Sequence, residues 1–301
     1  MKVGSVIKKH IEELENRDFD ACKSDYGKLL IIGGSVGMAG AAYLSGYAAY
    51  RAGIGMVRYY GPEENRAILQ MLLPEAMYSV SIQPEKSSGV RACLADDIKW
   101  ADYIICGPGL SRSPQAKCVL KELLSTDLRD KKSVLLDADA LNIISEEGYD
   151  LGSEGVFFYE KEKTNLIITP HVGEMKRLTG LSIEEIKAKP KTAALDYAVK
   201  HHCIVVLKDS VTYVATPGGD VTVIESGSSA LSKAGSGDVL TGIITGTVAM
   251  LHGNTEDGAV IGTHLHGLSG TLAGEQLGEH CVLARNIVEA LPDALDIIGE
   301  R

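Results

Sequence analysis

In the stretch Leu231-Ser232-Lys233-Ala234-Gly235-Ser236-Gly237-Asp238-Val239-Leu240-Thr241-Gly242-Ile243-Ile244, a glycine loop opens a helix. Residues 234–237 are small, which lets the backbone approach a ligand closely. From Asp238 onward the apolar residues recur at helical spacing, which predicts a buried helix. The start of such a helix presents free N–H groups and the positive end of the helix dipole. The stretch therefore predicts a site that could bind a phosphate group.

Asp238 has two interpretations at this position. A carboxylate repels phosphate, so at a phosphate site it would act as a general base on a hydroxyl group that attacks the phosphorus. Alternatively, Asp238 only caps the helix, because Asp is favoured at helix starts. This stretch alone does not favour one interpretation over the other.

The composition limits the kind of ligand. The chain has 301 residues, 45% of them hydrophobic, which is enough for a large core. The net charge is −10 and there is no long basic run, so a nucleic-acid partner is not expected. An anionic small molecule remains compatible with this charge, because helix starts and single lysines can bind phosphate locally.

Cysteine usage and hydropathy indicate a cytoplasmic protein. The six cysteines are scattered without a C-x-x-C pair, which predicts reduced and buried thiols. The first residues are charged and lack the apolar block of a signal peptide. No stretch approaches 18 uninterrupted apolar residues, so no membrane span is expected.

Apolar runs that end in glycine-rich turns indicate an α/β fold. Residues 28–32 precede Gly33-Gly34-Ser35-Val36-Gly37-Met38-Ala39-Gly40, and residues 103–106 precede Gly107-Pro108-Gly109. Such runs predict parallel strands buried on both faces, and open parallel sheets bind ligands at the carboxyl ends of their strands. Neither the dinucleotide fingerprint nor the P-loop motif occurs. Further strands are predicted at 56–60, 76–80, 133–136 and 166–168, and helices at 1–20, 41–49, 62–73, 256–275 and 286–298.

Polar residues follow two of these strands. Asp137, Asp139 and Asn142 could bind magnesium, although Asp139 could instead cap a short helix. Thr169 is a candidate N-cap with Pro170 at the first helical position. His171 would then lie in the first turn, where it could donate to a ligand, and Glu174 would lie on the same helical face. The other histidines have no comparable context.

An antiparallel meander is predicted at one edge of the sheet. Its strands are residues 204–208, 211–215 and 221–224, joined by short turns. Lys208 and Thr212 flank the first turn and could hold a nucleotide phosphate or ribose. A lysine at a strand end is otherwise a solvated charge. No repeat or linker is present, so residues 1–301 are expected to form one domain, with residues 1–25 as a helical appendage.

Six motifs, collinear over nearly the whole chain, resemble those of the ADP- or ATP-dependent NAD(P)H-hydrate dehydratases. They are Gly37-Met38-Ala39-Gly40-Ala41-Ala42, Gly107-Pro108-Gly109-Leu110, Leu136-Asp137-Ala138-Asp139-Ala140-Leu141-Asn142, Thr169-Pro170-His171-Val172-Gly173-Glu174, Val206-Leu207-Lys208 and Ala234-Gly235-Ser236-Gly237-Asp238-Val239-Leu240-Thr241-Gly242. The resemblance implies a ribokinase-like three-layer α/β/α sandwich, with a mostly parallel sheet and an antiparallel edge. It also implies an enzyme that uses ADP or ATP to dehydrate the S form of hydrated NADH or NADPH.

The resemblance also assigns roles to residues of this chain. Asp238 would be the base, and the N–H groups of Gly235, Ser236 and Gly237 would stabilise the transferred phosphoryl group. The hydrate would contact Ala41, Gly109, His171 and Asp238. The adenine nucleotide would contact Lys208, Asp209, Ser210, Val211, Thr212 and Gly237. Mg²⁺ would bridge the phosphates, with Glu174 acting through water. A homotetramer and a separate NAD(P)H-hydrate epimerase are implied as partners.

One segment departs from the family pattern. Many members carry Asn-Pro-Gly-Met-Ala-Thr before the glycine loop, where this chain has Gly227-Ser228-Ser229-Ala230-Leu231-Ser232-Lys233. That part of the substrate wall is therefore expected to differ. The alternatives are a small-molecule kinase of the same fold, acting on a hydroxyethylthiazole or a vitamin alcohol, and a nucleotide-binding regulator without turnover. A regulator would not need a base, and Asp238 is present.

Overall fold

The computed structural model describes residues 2–17, 19–81, 87–152, 156–160 and 163–299, and for residues 87–93 it describes only the helical backbone. Within this part of the chain, nine strands form one sheet. They are β1 Lys28–Ile32, β2 Met56–Gly61, β3 Met77–Val80, β4 Tyr103–Cys106, β5 Ser133–Leu136, β8 Leu166–Ile168, β9 Ile204–Leu207, β10 Thr212–Ala215 and β11 Val221–Ile224. Strands β6 Tyr159–Glu160 and β7 Lys163–Thr164 form a separate two-stranded antiparallel sheet.

Fourteen helices are described along the same residues. They are α1 Val3–Lys9, α2 Ile11–Glu15, α3 Ala39–Arg51, α4 Glu63–Leu72, α5 Ser87–Trp100, α6 Pro114–Leu124, α7 Asp139–Glu147, α8 Val172–Thr179, α9 Ile183–Ala188, α10 Pro190–His201, α11 Ser236–Met250, α12 Thr255–Leu277, α13 Ala284–Glu289 and α14 Leu291–Gly299. None of the described helices is long and apolar enough to cross a membrane.

The strand order is β11-β10-β9-β8-β5-β4-β1-β2-β3. All neighbours are parallel except β9–β10 and β10–β11, which are antiparallel. The predicted mostly parallel sheet with an antiparallel edge is therefore confirmed. The chain builds outward from β1 in one direction and restarts at β4 on the other side, so the topological switch point lies between β1 and β4. Ligands of open α/β sheets bind in the crevice outside the carboxyl ends of the strands at such a point.

Side chains that alternate along each strand create two cores. Leu29 and Ile31 of β1 pack with the helices of one face, including α3, α11 and α12. Leu30 and Ile32 of the same strand pack with the opposite helical layer, which includes α6, α7 and α10. Successive side chains of a strand point to opposite faces of the sheet, so an uninterrupted apolar run serves both cores. The three-layer α/β/α arrangement follows from this pattern.

Two terminal helices are divided where the sequence predicted single ones. The predicted helix 1–20 is divided at His10, whose Nε2 atom lies 2.8 Å from Oδ2 of Asp257 in α12. The predicted helix 286–298 is divided at Ala290 into α13 and α14. Pro292 lies in the first turn of α14 and has no N–H, so it could not donate within one continuous helix.

The cysteines only partly match the prediction of buried thiols. Cys106 and Cys203 are free and buried, and burial raises the pKa of Cys106 to about 12. The thiols predicted to be buried at three other positions are instead exposed, because their segments lie on the surface. These are Cys22, Cys118 and Cys281. The side chain of Cys93 lies outside the described part of the structure.

The helix that follows the glycine loop packs closely on α3. A Cβ atom at Gly242 would contact the carbonyl O of Ser45 and would lie 2.8 Å from the backbone N of Ala49. A Cβ atom at Gly246 would lie 2.6 Å from the carbonyl O of Ala52. The two helices therefore touch through their backbones. This contact fixes the position of the first turn of α11 relative to α3.

Candidate active site

The glycine loop ends at Gly235, which is the N-cap of α11 with φ of 92°. This left-handed conformation favours glycine. A Cβ atom there would also lie 2.5 Å from Cδ1 of Leu44, so packing and backbone both require the glycine. Ser236, Gly237 and Asp238 follow in the first turn of the helix. The predicted junction of a glycine loop and a buried helix is confirmed.

Ser45 of α3 anchors this first turn. Its Oγ atom lies 3.1 Å from the carbonyl O of Asp238 and 3.0 Å from Oγ1 of Thr241. The same Oγ lies 3.2 Å from the carbonyl O of Ala41. The backbone at Asp238 is thus coupled to the helix that carries Ala41. Both residues were assigned to one hydrate site by resemblance, and the structure brings them together.

Gly109 lies beside Ala41. It has φ of 59°, and a Cβ atom at this position would lie 3.0 Å from Cβ of Ala41 and 2.9 Å from the carbonyl O of Met38. The loop after β4 therefore rests on the start of α3. The backbone of this loop also bonds to the loop after β1, since Gly34 N donates to Pro108 O at 2.9 Å and Ser35 N to Gly109 O at 2.6 Å.

Asp137 and Lys208 form an ion pair below the glycine loop. Asp137 follows β5 and Lys208 follows β9, and Nζ of Lys208 donates to Oδ1 of Asp137 at 2.9 Å. The Asp137 side chain is buried. A Cβ atom on Gly237 would lie 3.5 Å from this Nζ and 3.8 Å from Oδ2 of Asp137. The pair therefore lies directly against the start of α11.

Asp238 lies in an environment that disfavours its charged form. Burial raises its pKa to about 7, the negative charges of Asp137 and Asp139 add to the shift, and Lys208 opposes it. A buried carboxylate next to other carboxylates titrates near neutral pH for these reasons. Such a group can accept a proton from a substrate hydroxyl and release it again. The environment therefore favours the base interpretation of Asp238 over simple capping.

His171 and Glu174 differ from the prediction for this turn. The N-cap of α8 is His171 rather than Thr169, and the helix begins at Val172. Nδ1 of His171 accepts a hydrogen bond from Gly173 N at 2.9 Å, while Oε2 of Glu174 accepts one from His171 N at 2.8 Å. The prediction failed because a histidine side chain serves here as the cap.

This cap sets the chemistry of the two side chains. With Nδ1 as an acceptor, the neutral ring carries its proton on Nε2, which can donate to a ligand or to Oε1 of Glu174 at 3.4 Å. Burial lowers the pKa of His171, with the charge of Lys208 acting in the same direction. Burial raises the pKa of Glu174 to about 7, partly opposed by Lys208. The neutral histidine is therefore a donor at physiological pH.

A cavity of about 860 Å³ is lined by His171 and by residues on either side of Asp238, whereas Asp238 and Glu174 are not among its lining residues. Its wall combines the end of β9, the first turn of α11 and the divergent segment 227–233. It includes five of the six residues assigned to the nucleotide and His171, which are Lys208, Asp209, Ser210, Thr212, Gly237 and His171. Val211 does not line this cavity and lies instead on a neighbouring one of about 290 Å³. Lys233 also lines the larger cavity, with its Nζ donating to His280 O at 2.9 Å.

The N–H groups of the glycine loop are not all available to a ligand. Ser236 N donates to Lys233 O at 3.2 Å, so this N–H is already used within the loop. Gly237 lies in the first turn of α11, where a helical N–H has no acceptor in its own helix. Of the predicted phosphate donors, Ser236 therefore has an acceptor within the loop, and Gly237 stays a predicted donor.

His266 is a buried neighbour of the loop that sequence reasoning missed. It belongs to α12, and its Nε2 lies 3.0 Å from Ser236 O and 3.2 Å from Ser236 Oγ. Burial lowers its pKa to about 4, so the ring is neutral and donates from Nε2 to the carbonyl oxygen. The available signal was its place among small, buried helical residues such as Gly262 and Gly270.

The predicted magnesium ligands after β5 have protein partners. Oδ1 of Asn142 accepts a hydrogen bond from Arg177 Nε at 2.8 Å, and Oδ2 of Asp139 accepts one from Ser111 N at 2.8 Å. Among the described residues, no three His, Cys, Asp or Glu side chains form a group that could hold a metal ion. The donor chemistry fits an ion that arrives with a nucleotide, because Mg²⁺ usually takes one or two carboxylates together with phosphates and water.

A family model and a known protein with a similar sequence both identify the same family for this chain. The sequence model of the NAD(P)H-hydrate dehydratase family matches residues 29–293. A bifunctional NAD(P)H-hydrate repair enzyme from Moorella thermoacetica is 34% identical over 296 residues, which are 96% of this chain and 53% of that protein. The chain thus spans about half the length of this relative.

Two solved structures share the fold. An ADP/ATP-dependent NAD(P)H-hydrate dehydratase from Bacillus subtilis, co-crystallized with ATP/Mg²⁺, is 28% identical with a TM-score of 0.76, and the match covers 94% of each chain. A ribokinase-like superfamily protein from Enterococcus faecalis is 24% identical with a TM-score of 0.78, covering 98% of this chain and 94% of that one. The expected ribokinase-like fold is confirmed.

Proposed function

The chain belongs to the NAD(P)H-hydrate dehydratase family, and on this premise we propose that it is an ADP-dependent (S)-NAD(P)H-hydrate dehydratase. In this reaction hydrated NADH or NADPH and ADP give NADH or NADPH, AMP and phosphate, so the enzyme is a hydro-lyase. The observation that carries the proposal is the position of Asp238. This carboxyl has a pKa of about 7 and lies in the first turn of the helix that opens beside the 860 Å³ cavity.

The cavity supports a nucleotide as the second substrate. Lys208 lines the cavity and supplies a positive charge. Asp209, Ser210 and Thr212 supply polar groups along the adjoining turn. Burial lowers the pKa of Lys208, but the carboxylates of Asp137 and Glu174 outweigh it and hold the pKa above its ordinary value. The ammonium group therefore stays charged and attracts phosphate. ADP is our proposed co-substrate, because the similar Bacillus subtilis protein is an ADP/ATP-dependent enzyme.

Asp238 would begin the reaction by taking the proton from the hydroxyl group of the hydrate. The freed oxygen attacks the terminal phosphorus of ADP, and AMP leaves with the bridging oxygen. The N–H of Gly237 and the Lys208 ammonium would stabilise the charge on the transferred group. His171, through its Nε2 proton, and the loops of Ala41 and Gly109 would orient the hydrate.

The phosphorylated intermediate can eliminate without further activation. Hydroxide is a poor leaving group, whereas phosphate leaves readily. The lone pair of the ring nitrogen assists cleavage of the carbon–oxygen bond and forms an iminium ion as phosphate departs. The proton on the neighbouring ring carbon then passes to the released phosphate, and its bonding electrons restore the double bond of NADH. A kinase-type first step thus produces a net dehydration. The role of Asp238 is confined to the first proton transfer.

Mg²⁺ is our proposed metal cofactor. It would neutralise charge on the nucleotide phosphates when bound. Glu174 is the proposed protein contact, through a water molecule, because its carboxylate lies near Lys208 and Asp137 at the base of the site. The described residues form no closed cage for a metal, which agrees with an ion shared with phosphates.

We propose a homotetramer that acts in the cytoplasm beside an NAD(P)H-hydrate epimerase activity. The Moorella relative is a bifunctional repair enzyme, which supports the link to a second repair activity. Sedimentation velocity of the purified chain tests the assembly. A monomer at micromolar concentration would contradict it.

The decisive experiment combines two readouts in one assay. The protein is incubated with NADH hydrate, Mg²⁺ and either ADP or ATP, and the absorbance of the reduced nicotinamide is followed together with released phosphate. We expect both signals to rise in equal amounts. A stable phosphoester without recovered absorbance would instead indicate a small-molecule kinase of the same fold. No nucleotide turnover with any substrate would indicate a binding protein.

A further inference from the structure

The turn that joins β5 to α7 contains a strained residue. Ala138 has φ of 49° and ψ of −117°, a combination outside the regions that residues with a side chain ordinarily occupy. Ala140 N donates to Asp137 O at 3.1 Å, so Ala138 takes the second position of a type II′ turn, where glycine is normally found. The chain places glycine at other positive-φ positions of the site, including Gly109 and Gly235. No step of the proposed mechanism uses Ala138.

The same residue is also an unfavourable helix cap. Ala138 is the N-cap of α7, and its side chain makes no capping hydrogen bond, whereas Ser, Thr, Asp and Asn are the favoured residues there. Two local preferences are therefore broken at one position. Such exceptions persist where the surroundings fix the backbone, and they concentrate at functional sites.

Main-chain contacts hold this turn on both sides. Asp137 N donates to Cys106 O at 3.1 Å, and a Cβ atom at Gly107 would contact Asp137 O. On the other side, Asn142 N donates to Ala138 O at 3.1 Å as α7 begins. The strand and the helix therefore impose the strained conformation on Ala138.

The turn directs two neighbouring carboxylates to different parts of the site. Oδ1 of Asp137 accepts a hydrogen bond from Lys208 Nζ at 2.9 Å, on the nucleotide side. Oδ2 of Asp139 accepts one from Ser111 N at 2.8 Å, in the loop that also contains Gly109. That loop rests on the start of α3, the side assigned to the hydrate. Ser111 has φ of 67°, so two of the four non-glycine residues with positive φ in the described part of the chain meet here.

We propose that Ala138 is a positioning residue, whose strained turn holds the carboxylates on either side of it in these separate contacts throughout phosphoryl transfer. The inference rests on the dehydratase function proposed above. The methyl group confines the turn to a small range of φ and ψ, because rotation brings Cβ against the neighbouring backbone. Glycine could form the same turn without strain but would sample a much wider range. Both carboxylates would then be less firmly held.

The test separates stability from rate. Ala138→Gly relieves the strain, so the melting temperature should rise by about 2 °C. In the same variant kcat for NADH hydrate should fall about tenfold, because the two carboxylates lose their fixed positions. A residue with a merely structural role would move both quantities in the same direction. Ala138→Ser keeps a Cβ atom and should recover most of the rate.

His252→Gly is the matched control. His252 is exposed and has φ of 53°. It follows the far end of α11, about 20 Å from the first turn of that helix. Glycine at this position should raise the melting temperature without a change in kcat.

Each outcome decides one question. Wild-type kcat in Ala138→Gly would overturn the inference, and so would a lower melting temperature, which would show that the turn is not strained. Loss of kcat in His252→Gly would also overturn it, since relief of strain anywhere would then explain the effect. In these cases the wild type still converts the hydrate, so the dehydratase function stands. Absence of turnover in the wild type with either nucleotide would overturn the proposed function, and the role of Ala138 with it.

Discussion

Nζ of Lys208 lies 2.9 Å from Oδ1 of Asp137, directly below the first turn of α11. The two residues act in opposite directions on the same neighbour, because Asp137 raises the pKa of Asp238 and Lys208 lowers it. The ion pair is therefore a means of setting the pKa of the proposed base. Burial supplies the larger part of the shift, and the pair adjusts it.

The first prediction concerns the acid side of the pH–rate profile. A base must be deprotonated, so kcat/KM should rise with pH through about 7, the pKa of Asp238. Asp137→Asn removes a negative charge and should shift this rise to lower pH by about one unit. Lys208→Gln removes a positive charge and should shift it to higher pH by about as much. Profiles measured between pH 5 and 9, with Asp220→Asn as a surface control, would contradict the idea if both shifts had the same sign.

The second prediction is the effect of removing the base. Asp238→Asn keeps the shape of the side chain but cannot accept the proton, so turnover should fall by roughly 10² to 10⁴. Nucleotide affinity should remain within a few-fold, because a carboxylate does not attract phosphate. Single-turnover assays and calorimetric titration with ADP measure the two quantities. Turnover at the wild-type rate would remove Asp238 from the mechanism.

The third prediction is that Asp238 lowers stability at high pH. A carboxyl whose pKa rises from 3.8 to about 7 on folding is favourable while protonated, and this advantage is lost as pH increases through 7. Asn has no charge to lose. Asp238→Asn should therefore stabilise the protein more at pH 8 than at pH 5, by about 2 to 3 kcal/mol. Urea unfolding at both pH values checks this. An equal change in the free energy of unfolding at pH 5 and pH 8 would show that the charge of Asp238 does not destabilise the folded protein.

The strands and the proposed base could be predicted because their signals are local. The run Lys28–Ile32 is apolar throughout, and the sequence around Asp238 shows both the glycine loop and the helical spacing that follows it. Each signal lies within about ten residues. The packing partners then follow from the alternation of side chains along the strands.

The anchoring residues could not be predicted because they depend on contacts distant in the chain. Ser45 meets Thr241 across 196 positions, and His266 meets Ser236 across 30. Neither residue differs in its local sequence from an ordinary helical residue. The bounds of the helices between 183 and 201 were not predicted, although the run His201-His202-Cys203 indicates the end of a helix. The buried side of α10 includes small residues such as Ala193 and Ala198, which give a weak periodic signal.

The fourth prediction compares one substitution at two positions of α11. Gly237→Ala adds a Cβ atom in ordinary contact, 3.5 Å from Lys208 Nζ, so the free energy of unfolding should stay the same or rise by up to about 1 kcal/mol. The methyl group would nevertheless lie where we propose that phosphate binds, and we expect the KM for nucleotide to rise about tenfold.

Gly242→Ala adds a Cβ atom against the backbone of Ser45 and 2.8 Å from Ala49 N. It should cost about 3 kcal/mol or more by separating α3 from α11. Similar stabilities for the two variants would contradict this account.

The fifth prediction concerns His266 as a positioning residue. Its pKa of about 4 means that the ring is neutral throughout the working range and holds Ser236 O through the Nε2 proton. His266→Ala removes this donor and loosens the turn that carries Asp238, so kcat should fall by about tenfold. The pH at which kcat/KM rises should not move, since that pH is set by the pKa of Asp238.

His266→Gln offers an amide donor and should recover part of the rate, while the exposed His280→Ala is the control. A shift of the profile in His266→Ala would mean that the histidine itself exchanges a proton during the reaction, which its burial between α11 and α12 argues against.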